Sequence, residues 1–152
     1  MKLTQYTIER KFTAPPERVY RAFTDPAELA AWVWGEFAQT ASAEIDLTIN
    51  GTFGISIDEG QGLRSAMRGI YLVIEPNKRL IHTVHWDASV GYNESGKALD
   101  EILVIDFVAE GTGCWLRYLH MGIPDDGRSA AAHEKSVRST LDSLEKHLDG
   151  KG

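Results

Sequence analysis

Histidine, tyrosine and tryptophan side chains recur at alternate positions in two segments that have the pattern of β-strands. His82 and Trp86 share one side of the first segment, because successive strand residues point to opposite faces. Tyr118 and His120 share one side of the second segment. On an inward face these hydrogen-bonding groups predict a polar lining for a small-molecule pocket. A core whose polar groups are satisfied by neighbouring groups or water is the alternative interpretation.

A metal site shared by the histidines of the first segment is not expected. His82 and His85 are three residues apart, so on a strand they point to opposite faces and cannot bind one ion without a bulge. His120 adds a single further ligand. We therefore predict no metal and no other cofactor.

The serine and cysteine residues do not form a recognisable catalytic pattern. Ser136 and Ser139 lie close to His133 on a predicted helix with a strongly polar face, where Ser and His are usually solvated. Cys114 lies in a predicted strand, where a buried thiol is much commoner than a nucleophile. No nucleophilic residue is predicted.

The strand carboxylates offer no general acid or base either. The outward face of a strand is the usual position for a charge, and we expect it for Asp46, Asp87, Glu101 and Asp106. No carboxylate is then expected beside an imidazole. His82, Tyr118 and His120 are accordingly interpreted as binding groups without a catalytic cycle.

The composition indicates one acidic domain over residues 1–152. The chain has 43% hydrophobic residues, a net charge of −6 and a sequence pI of about 5.3. This charge repels phosphate backbones and anionic lipid surfaces, so no nucleic-acid or membrane partner is expected. No segment reaches the roughly 20 apolar residues of a membrane span, and the single cysteine favours a reducing compartment. We expect a cytoplasmic protein.

The segment 128–148 has the pattern of an amphipathic helix. Its apolar residues recur at i, i+4, i+7 and i+11 and form one stripe: Val137, Leu141, Leu144 and Leu148. Asp125 and Asp126 lie where acidic groups cap a helix start, and Gly150 lies where a left-handed residue often ends one. Such a helix gains little stability alone, so we expect its stripe to pack against a curved sheet.

Most of the preceding chain has the pattern of β-strands. A first strand is predicted over 4–13, and two short helices follow it, the second capped by Asp25 with Glu28 completing a capping box. Three hairpins come next, pairing 43–49 with 52–57, 65–75 with 80–87, and 101–108 with 114–121. Asn50-Gly51 predicts a two-residue turn in the first hairpin. The loops 58–63 and 88–98 are predicted to be mobile edges.

These elements stand in the order of a known superfamily. The run Ala-Pro-Pro-Glu-Arg-Val-Tyr-Arg-Ala-Phe-Thr-Asp-Pro over residues 14–26, followed by Leu29 and Trp32, resembles the N-terminal signature of the START and birch-pollen-allergen-like (SRPBCC) superfamily. Within it, the chain is most similar to the family related to the activator of the heat-shock-protein-90 ATPase. The hairpins and the closing helix extend the resemblance over nearly the whole chain.

The resemblance implies an α+β helix-grip fold, in which a curved antiparallel sheet of about six or seven strands surrounds a long C-terminal helix, with two short helices after strand 1. It also implies a cavity between sheet and helix. The ligand-binding residues predicted for this cavity are Trp34, Phe53, Tyr71, His82, Trp86, Tyr118 and His120. Trp34 either closes the cavity mouth or anchors the second short helix to the sheet edge.

Two positions depart from the family pattern. In the first hairpin, Thr48, Asn50 and Gly51 stand where the family usually has an arginine and paired glycines. In the closing helix, Ser136-Val137 stands where a Gly-Trp pair is usual. One wall of the cavity is therefore expected to be built from smaller groups.

Binding of a small, largely apolar molecule is the function that the predicted cavity favours. One alternative is a cyclase- or aromatase-like enzyme, in which a His or Tyr of the cavity moves a proton. Another is an interaction module of the heat-shock-protein-90 ATPase activator type, a chaperone cofactor. That role requires an exposed patch, for which the outward Trp115 and Leu119 are candidates. The same pair could form the face of a homodimer.

Overall fold

Seven strands and three α-helices form the described part of the chain. The computed structural model describes residues 2–60, 63–88 and 100–150. The strands are β1 (Leu3–Phe12), β2 (Ser42–Ile45), β3 (Thr52–Gly60), β4 (Leu63–Glu75), β5 (Arg79–Ala88), β6 (Glu101–Glu110) and β7 (Gly113–Pro124). The helices are α1 (Pro16–Thr24), α2 (Pro26–Trp32) and α3 (Ser129–Leu148), and a short 3-10 helix covers Gly35–Thr40. Of the two loops predicted to be mobile, residues 61–62 and 89–98 lie outside the described residues. Residues 58–60 belong to β3, Leu63 begins β4 and Ala88 ends β5, so these positions are strand and not loop.

The strands form one antiparallel sheet in the order β1-β7-β6-β5-β4-β3-β2. Strand β1 pairs with β7, so the first and last strands are neighbours and the short β2 is at the opposite edge. The inner face of this curved sheet holds α3, while α1 and α2 follow β1. The α+β helix-grip fold implied by the resemblance is therefore confirmed.

The apolar stripe of α3 packs on the sheet as its spacing predicts. Leu141 and Leu144 are almost completely buried, and Val137 and Leu148 are partly buried against the same core. Asp126 accepts hydrogen bonds from the amides of Arg128 and Ser129 at 2.9 and 2.7 Å. At the other end Gly150 has a φ of 74°, the left-handed conformation expected after a helix. These end groups fix where α3 starts and stops.

The two short helices are fixed by a cap and a tryptophan. Asp25 accepts a hydrogen bond from the amide of Glu28 at 2.9 Å, which confirms the predicted cap of α2. Trp32 is buried, and its indole Nε1 donates to the carbonyl of Ala22 on α1 at 2.9 Å. This bond and the burial of the ring tie α2 to α1.

The first hairpin does not have the two-residue turn predicted from Asn50-Gly51. Strand β2 ends at Ile45, and a longer connection leads to β3 at Thr52. Asn50, with a φ of 66°, donates its amide to the carbonyl of Tyr71 on β4 at 2.9 Å, and Tyr71 returns a bond to the carbonyl of Gly51 at 2.9 Å. These bonds to a strand distant in sequence hold residues 50–51 against β4, so they do not close a tight turn between β2 and β3.

Apolar side chains also occupy part of the outer face of the sheet. Trp115 and Leu119 alternate with the buried Cys114 and Leu116 on β7 and are partly exposed, as predicted. Val108, which faces Trp115 across the β6-β7 pair, is 41% exposed. Within the described residues, no helix is both long and apolar enough to cross a membrane.

Candidate functional site

A cavity of about 760 Å³ lies between the inner face of the sheet and α3. Its volume is within the range of natural small-molecule sites, roughly 300–1,000 Å³. All seven side chains predicted to bind a ligand lie in its wall: Trp34, Phe53, Tyr71, His82, Trp86, Tyr118 and His120. The structure thus brings these residues together, and their role in binding stays a prediction.

One part of the cavity wall is a cluster of aromatic rings. The His82 ring centroid lies 4.7 Å from that of Phe53 and 5.9 Å from that of Tyr71. Phe53 faces Gly69 across the β3-β4 pair, and a Cβ at position 69 would come within 2.6 Å of the Phe53 ring. A glycine is therefore needed there for the ring to lie across β4. This packing fixes the orientation of Phe53 toward His82.

His82 is a neutral hydrogen-bonding group at neutral pH. Burial lowers the pKa of its imidazole to about 4, an effect that its hydrogen bond to the backbone partly opposes and the neighbouring His120 reinforces. Its Nδ1 lies 2.9 Å from the carbonyl oxygen of Thr83, so Nδ1 carries the proton and Nε2 is left as an acceptor. Burial likewise raises the pKa of the neighbouring Tyr71 phenol well above its usual value.

The polar end of the cavity is built around His120. Its Nε2 is hydrogen-bonded to Oε1 of Glu101, and its Nδ1 lies 2.7 Å from the hydroxyl of Tyr6 on β1. Glu101 and His120 are both almost completely buried. The expectation that Glu101 points outward, and that no carboxylate orients an imidazole, is therefore wrong. A buried carboxylate is stable here because the imidazole and an indole hydrogen-bond to it.

Three further side chains surround this pair. The indole Nε1 of Trp86 donates to Oε1 of Glu101 at 3.3 Å. The His133 ring, on α3, lies 5.2 Å from that of His120, so the interpretation of His133 as helix surface is also wrong. Burial raises the pKa of the Tyr118 phenol well above its usual value, and the charge of Glu101 adds a smaller increase. Tyr118 is therefore a neutral hydrogen-bonding group.

The alternation of residues along β6 could have predicted that Glu101 points to the inner face of the sheet. Leu103, Ile105 and Phe107 alternate with it on β6 and all are buried, so the same parity places Glu101 on the inner face. Next to it, Gly122 is the extra residue of a β-bulge in β7 and has a φ of 86°. A Cβ at position 122 would lie 3.3 Å from the Cα of Glu101. The bulge with its glycine therefore allows the backbone of β7 to lie close to Glu101.

Helix α3 and the segment after α2 complete the wall. Ser136 and Val137, which replace the Gly-Trp pair usual in the family, both line the cavity. Trp34 packs edge-on against Trp86 with ring centroids 6.0 Å apart, so it both lines the cavity and contacts the sheet. Its indole Nε1 is buried with no hydrogen-bond partner among the described residues. Trp32 also reaches the wall, but its own Nε1 is used by α1.

The polar end can hold or transfer a proton. An imidazole held between a carboxylate and a phenol has a fixed ring orientation, and the carboxylate stabilises its protonated form. The rest of the wall is mainly aromatic and aliphatic, but it also includes polar and charged side chains, among them His82, Asp126 and Arg128. A mainly apolar lining with a few polar groups is typical of small-molecule sites, in which the polar groups orient the ligand.

The family model for Activator of Hsp90 ATPase homolog 1-like proteins matches residues 13–149. This match covers nearly all of the elements that form the cavity. The chain belongs to this family. The search of curated proteins gave no match.

Solved structures of similar chains have the same fold. A protein from Chromobacterium violaceum is 27% identical, with a TM-score of 0.77, and the match covers 95% of this chain and 96% of that one. A protein from Rhizobium leguminosarum is 26% identical, with a TM-score of 0.78 and coverage of 97% and 95%. An HSP90 activator from Plasmodium falciparum, 20% identical with a TM-score of 0.70 over 95% and 96% of the two chains, shares the fold.

Proposed function

We propose that this protein binds one small, largely apolar molecule in the cavity between the sheet and α3, with a polar group of the ligand at the His120 end. The observation that carries the proposal is the cavity itself, a volume of about 760 Å³ whose mainly apolar wall includes the buried His120. Burial of the ligand's apolar surface would supply most of the binding free energy. Hydrogen bonds at the polar end would set its orientation.

Three features support a ligand with a hydrogen-bonding group. Tyr118 keeps its phenolic proton because burial raises its pKa, so it can donate a hydrogen bond. His82 is neutral and offers an acceptor at Nε2. Trp34 has an indole donor that is not used within the described residues. A ligand with a carbonyl or hydroxyl group matches these donors and acceptors, whereas a ligand with several charges does not.

Titration with an apolar fluorescent probe such as an anilinonaphthalene sulfonate tests the proposal. We expect saturation near one probe per chain, with a blue-shifted emission. Tyr118→Phe should change the affinity by about 1–2 kcal/mol, the cost of one lost hydrogen bond. The double variant Glu101→Gln and His120→Leu should change it by at least as much, and it avoids leaving a buried carboxylate without its partner.

His85→Leu is the matched control for this titration. His85 lies on the same strand as His82 and Trp86, but on the outer face, where it is 40% exposed and hydrogen-bonds to Asp100. Its replacement should leave probe affinity unchanged. Absence of probe binding by the wild-type protein, or an equal effect of His85→Leu, would contradict the cavity as the binding site.

A second candidate function is proton-transfer catalysis in the same cavity. The observation that favours it is the buried Glu101–His120 pair, since a carboxylate-oriented imidazole is a common general base. In that case His120 would accept or donate the proton, and Glu101 would hold the ring and stabilise its charged form. A turnover of a cyclisable apolar substrate that is lost in Glu101→Gln while probe binding is kept would identify the protein as an enzyme.

A further inference from the structure

Three metal-ligating side chains converge at the polar end of the cavity from three different elements. They are Glu101 from the start of β6, His120 from β7 and His133 from α3. Each offers one ligand atom, and these atoms all lie within 4.8 Å of one another. The sequence argument against a metal considered His82 and His85, with His120 as a single further ligand. Of these three residues, His120 belongs to this cluster and the other two do not. The cluster exists because β6, β7 and α3 meet here.

We propose that Glu101, His120 and His133 bind a divalent transition-metal ion, for which Zn²⁺ is the appropriate probe. Two imidazoles and one carboxylate are a ligand set that zinc accepts, and three protein ligands leave a fourth position open. With bonds of about 2.0–2.1 Å, tetrahedral ligand atoms are roughly 3.4 Å apart. Side-chain rotation that brings the atoms from within 4.8 Å to this spacing would suffice.

The Glu101–His120 hydrogen bond marks where the ion would enter. A proton now bridges Oε1 of Glu101 and Nε2 of His120. A cation would take the place of this proton between the two atoms. Because metal ligands must be deprotonated, the bridging proton would leave to solvent as the ion binds.

The groups behind the cluster are those that a metal site requires. Ligating imidazoles usually hydrogen-bond through their other ring nitrogen, and ligating carboxylates are usually hydrogen-bonded as well. The Nδ1 of His120 is 2.7 Å from the Tyr6 hydroxyl, which can accept its N–H. The indole Nε1 of Trp86 donates to Glu101. Both ligands from the sheet therefore already have the supporting bonds that fix their orientation.

A bound ion would lie at the cavity wall, since His120 and His133 both line it. Its open position could then accept a carbonyl or hydroxyl oxygen of a molecule in the cavity. The metal proposal does not depend on the proposed function, because metal affinity can be measured with the cavity empty.

The test is a titration of chelator-treated protein with Co²⁺, followed by visible absorption, and with Zn²⁺, followed by calorimetry. We expect one ion per chain and a Co²⁺ spectrum of low coordination number. His133→Gln, on the partly exposed helix, should lower Zn²⁺ affinity by more than roughly tenfold. Glu101→Gln, which keeps the size of the side chain, should lower it by at least as much. Unfolding curves of both variants in the absence of metal establish that each is folded.

His85→Gln is the control, because His85 is 40% exposed and lies 3.3 and 2.8 Å from the carboxylates of Asp87 and Asp100, outside the three-ligand cluster. Its Zn²⁺ affinity should equal that of the wild-type protein. Absence of Zn²⁺ binding at micromolar concentration, full affinity in folded His133→Gln, or loss of binding in His85→Gln would each overturn the proposal. If the protein binds the apolar fluorescent probe but no metal, the metal proposal is wrong and the proposed ligand binding is unaffected.

Discussion

The environment of each histidine decides what that side chain can do. His82 is buried among Phe53 and Tyr71 and stays neutral, whereas His120 is buried beside a carboxylate. His85, on the outer face, hydrogen-bonds to Asp100 at the surface. Three imidazoles that are equivalent in the sequence therefore have three different roles. The difference arises from burial and from the nearest charge.

The titration of His82 gives a prediction about acid stability. The pKa of His82 is about 4 in the folded protein, below the value near 6.5 of an unfolded chain, so the unfolded state binds more protons between these values. The free energy of unfolding should therefore fall as pH decreases from about 6.5 to 4, by up to about 3 kcal/mol from this group. Denaturant titrations at several pH values measure it.

The variant His82→Gln should remove this part of the pH dependence. His85→Gln, which changes an exposed histidine on the same strand, should retain the wild-type slope. Equal slopes for wild type and His82→Gln would show that His82 is not buried as a neutral group.

At the scale of elements, α3 is held to the rest of the molecule by its apolar stripe, by ion pairs with Arg10 and by a polar cluster around Glu28. Arg10 on β1 contacts Asp142 and Glu145 of α3 at 2.7 and 3.1 Å. Glu28 on α2 accepts hydrogen bonds from Arg18 on α1 at 2.7 Å and from His147 on α3 at 2.9 Å. Partial burial opposes its ionisation, but the bonds from His147, Arg18 and Arg21 together lower the pKa of Glu28. This residue thus joins all three helices near the end of α3.

The apolar stripe should contribute more than this cluster. Leu141 is 1% exposed, so Leu141→Ala should lower the free energy of unfolding by roughly 2–5 kcal/mol, through lost apolar contact and the space left behind. Chemical denaturation measures the change. Leu72→Ala is the control, because Leu72 is 40% exposed on β4 and its truncation should cost less than about 1 kcal/mol. A similar small loss for Leu141→Ala would mean that α3 is peripheral to the core.

At the scale of the whole molecule, the predictions concern the cavity and the outer face of the sheet. The cavity is enclosed by elements from both ends of the chain, since β7 and α3 are its last elements and the segment after α2 belongs to its first third. A ligand that contacts all of these elements would bind to the folded protein and not to the unfolded chain. Its binding should therefore raise the melting temperature with increasing concentration.

The outer face of the sheet is the surface through which we predict self-association. Trp115 and Leu119 are partly exposed there, so we expect the double variant Trp115→Lys and Leu119→Lys to dissociate a homodimer while nearly preserving the melting temperature. Sedimentation velocity of the wild-type and variant proteins measures this. A wild-type protein that sediments as a monomer at high concentration would rule out the dimer.

The sequence by itself determined the features that depend on neighbouring residues. Alternation along a strand assigned His82, Trp86, Tyr118 and His120 to the inner face, and all four line the cavity. The 3.6-residue period of α3 identified its buried stripe, and short-range hydrogen bonding identified the caps. These features could be predicted because each is set within a few residues of chain.

The tertiary structure decided what depends on contacts between distant segments. Glu101 is buried because His120, 19 residues away, and Trp86 hydrogen-bond to it, and the usual preference of a carboxylate for water gives no hint of either partner. His133 reaches the same point because α3 lies against that end of the sheet. In the same way, bonds to Tyr71 on β4 displaced the turn predicted at Asn50-Gly51. The free energy of a buried charge depends on its hydrogen-bonding partners, and here those partners are close to it only in the folded chain.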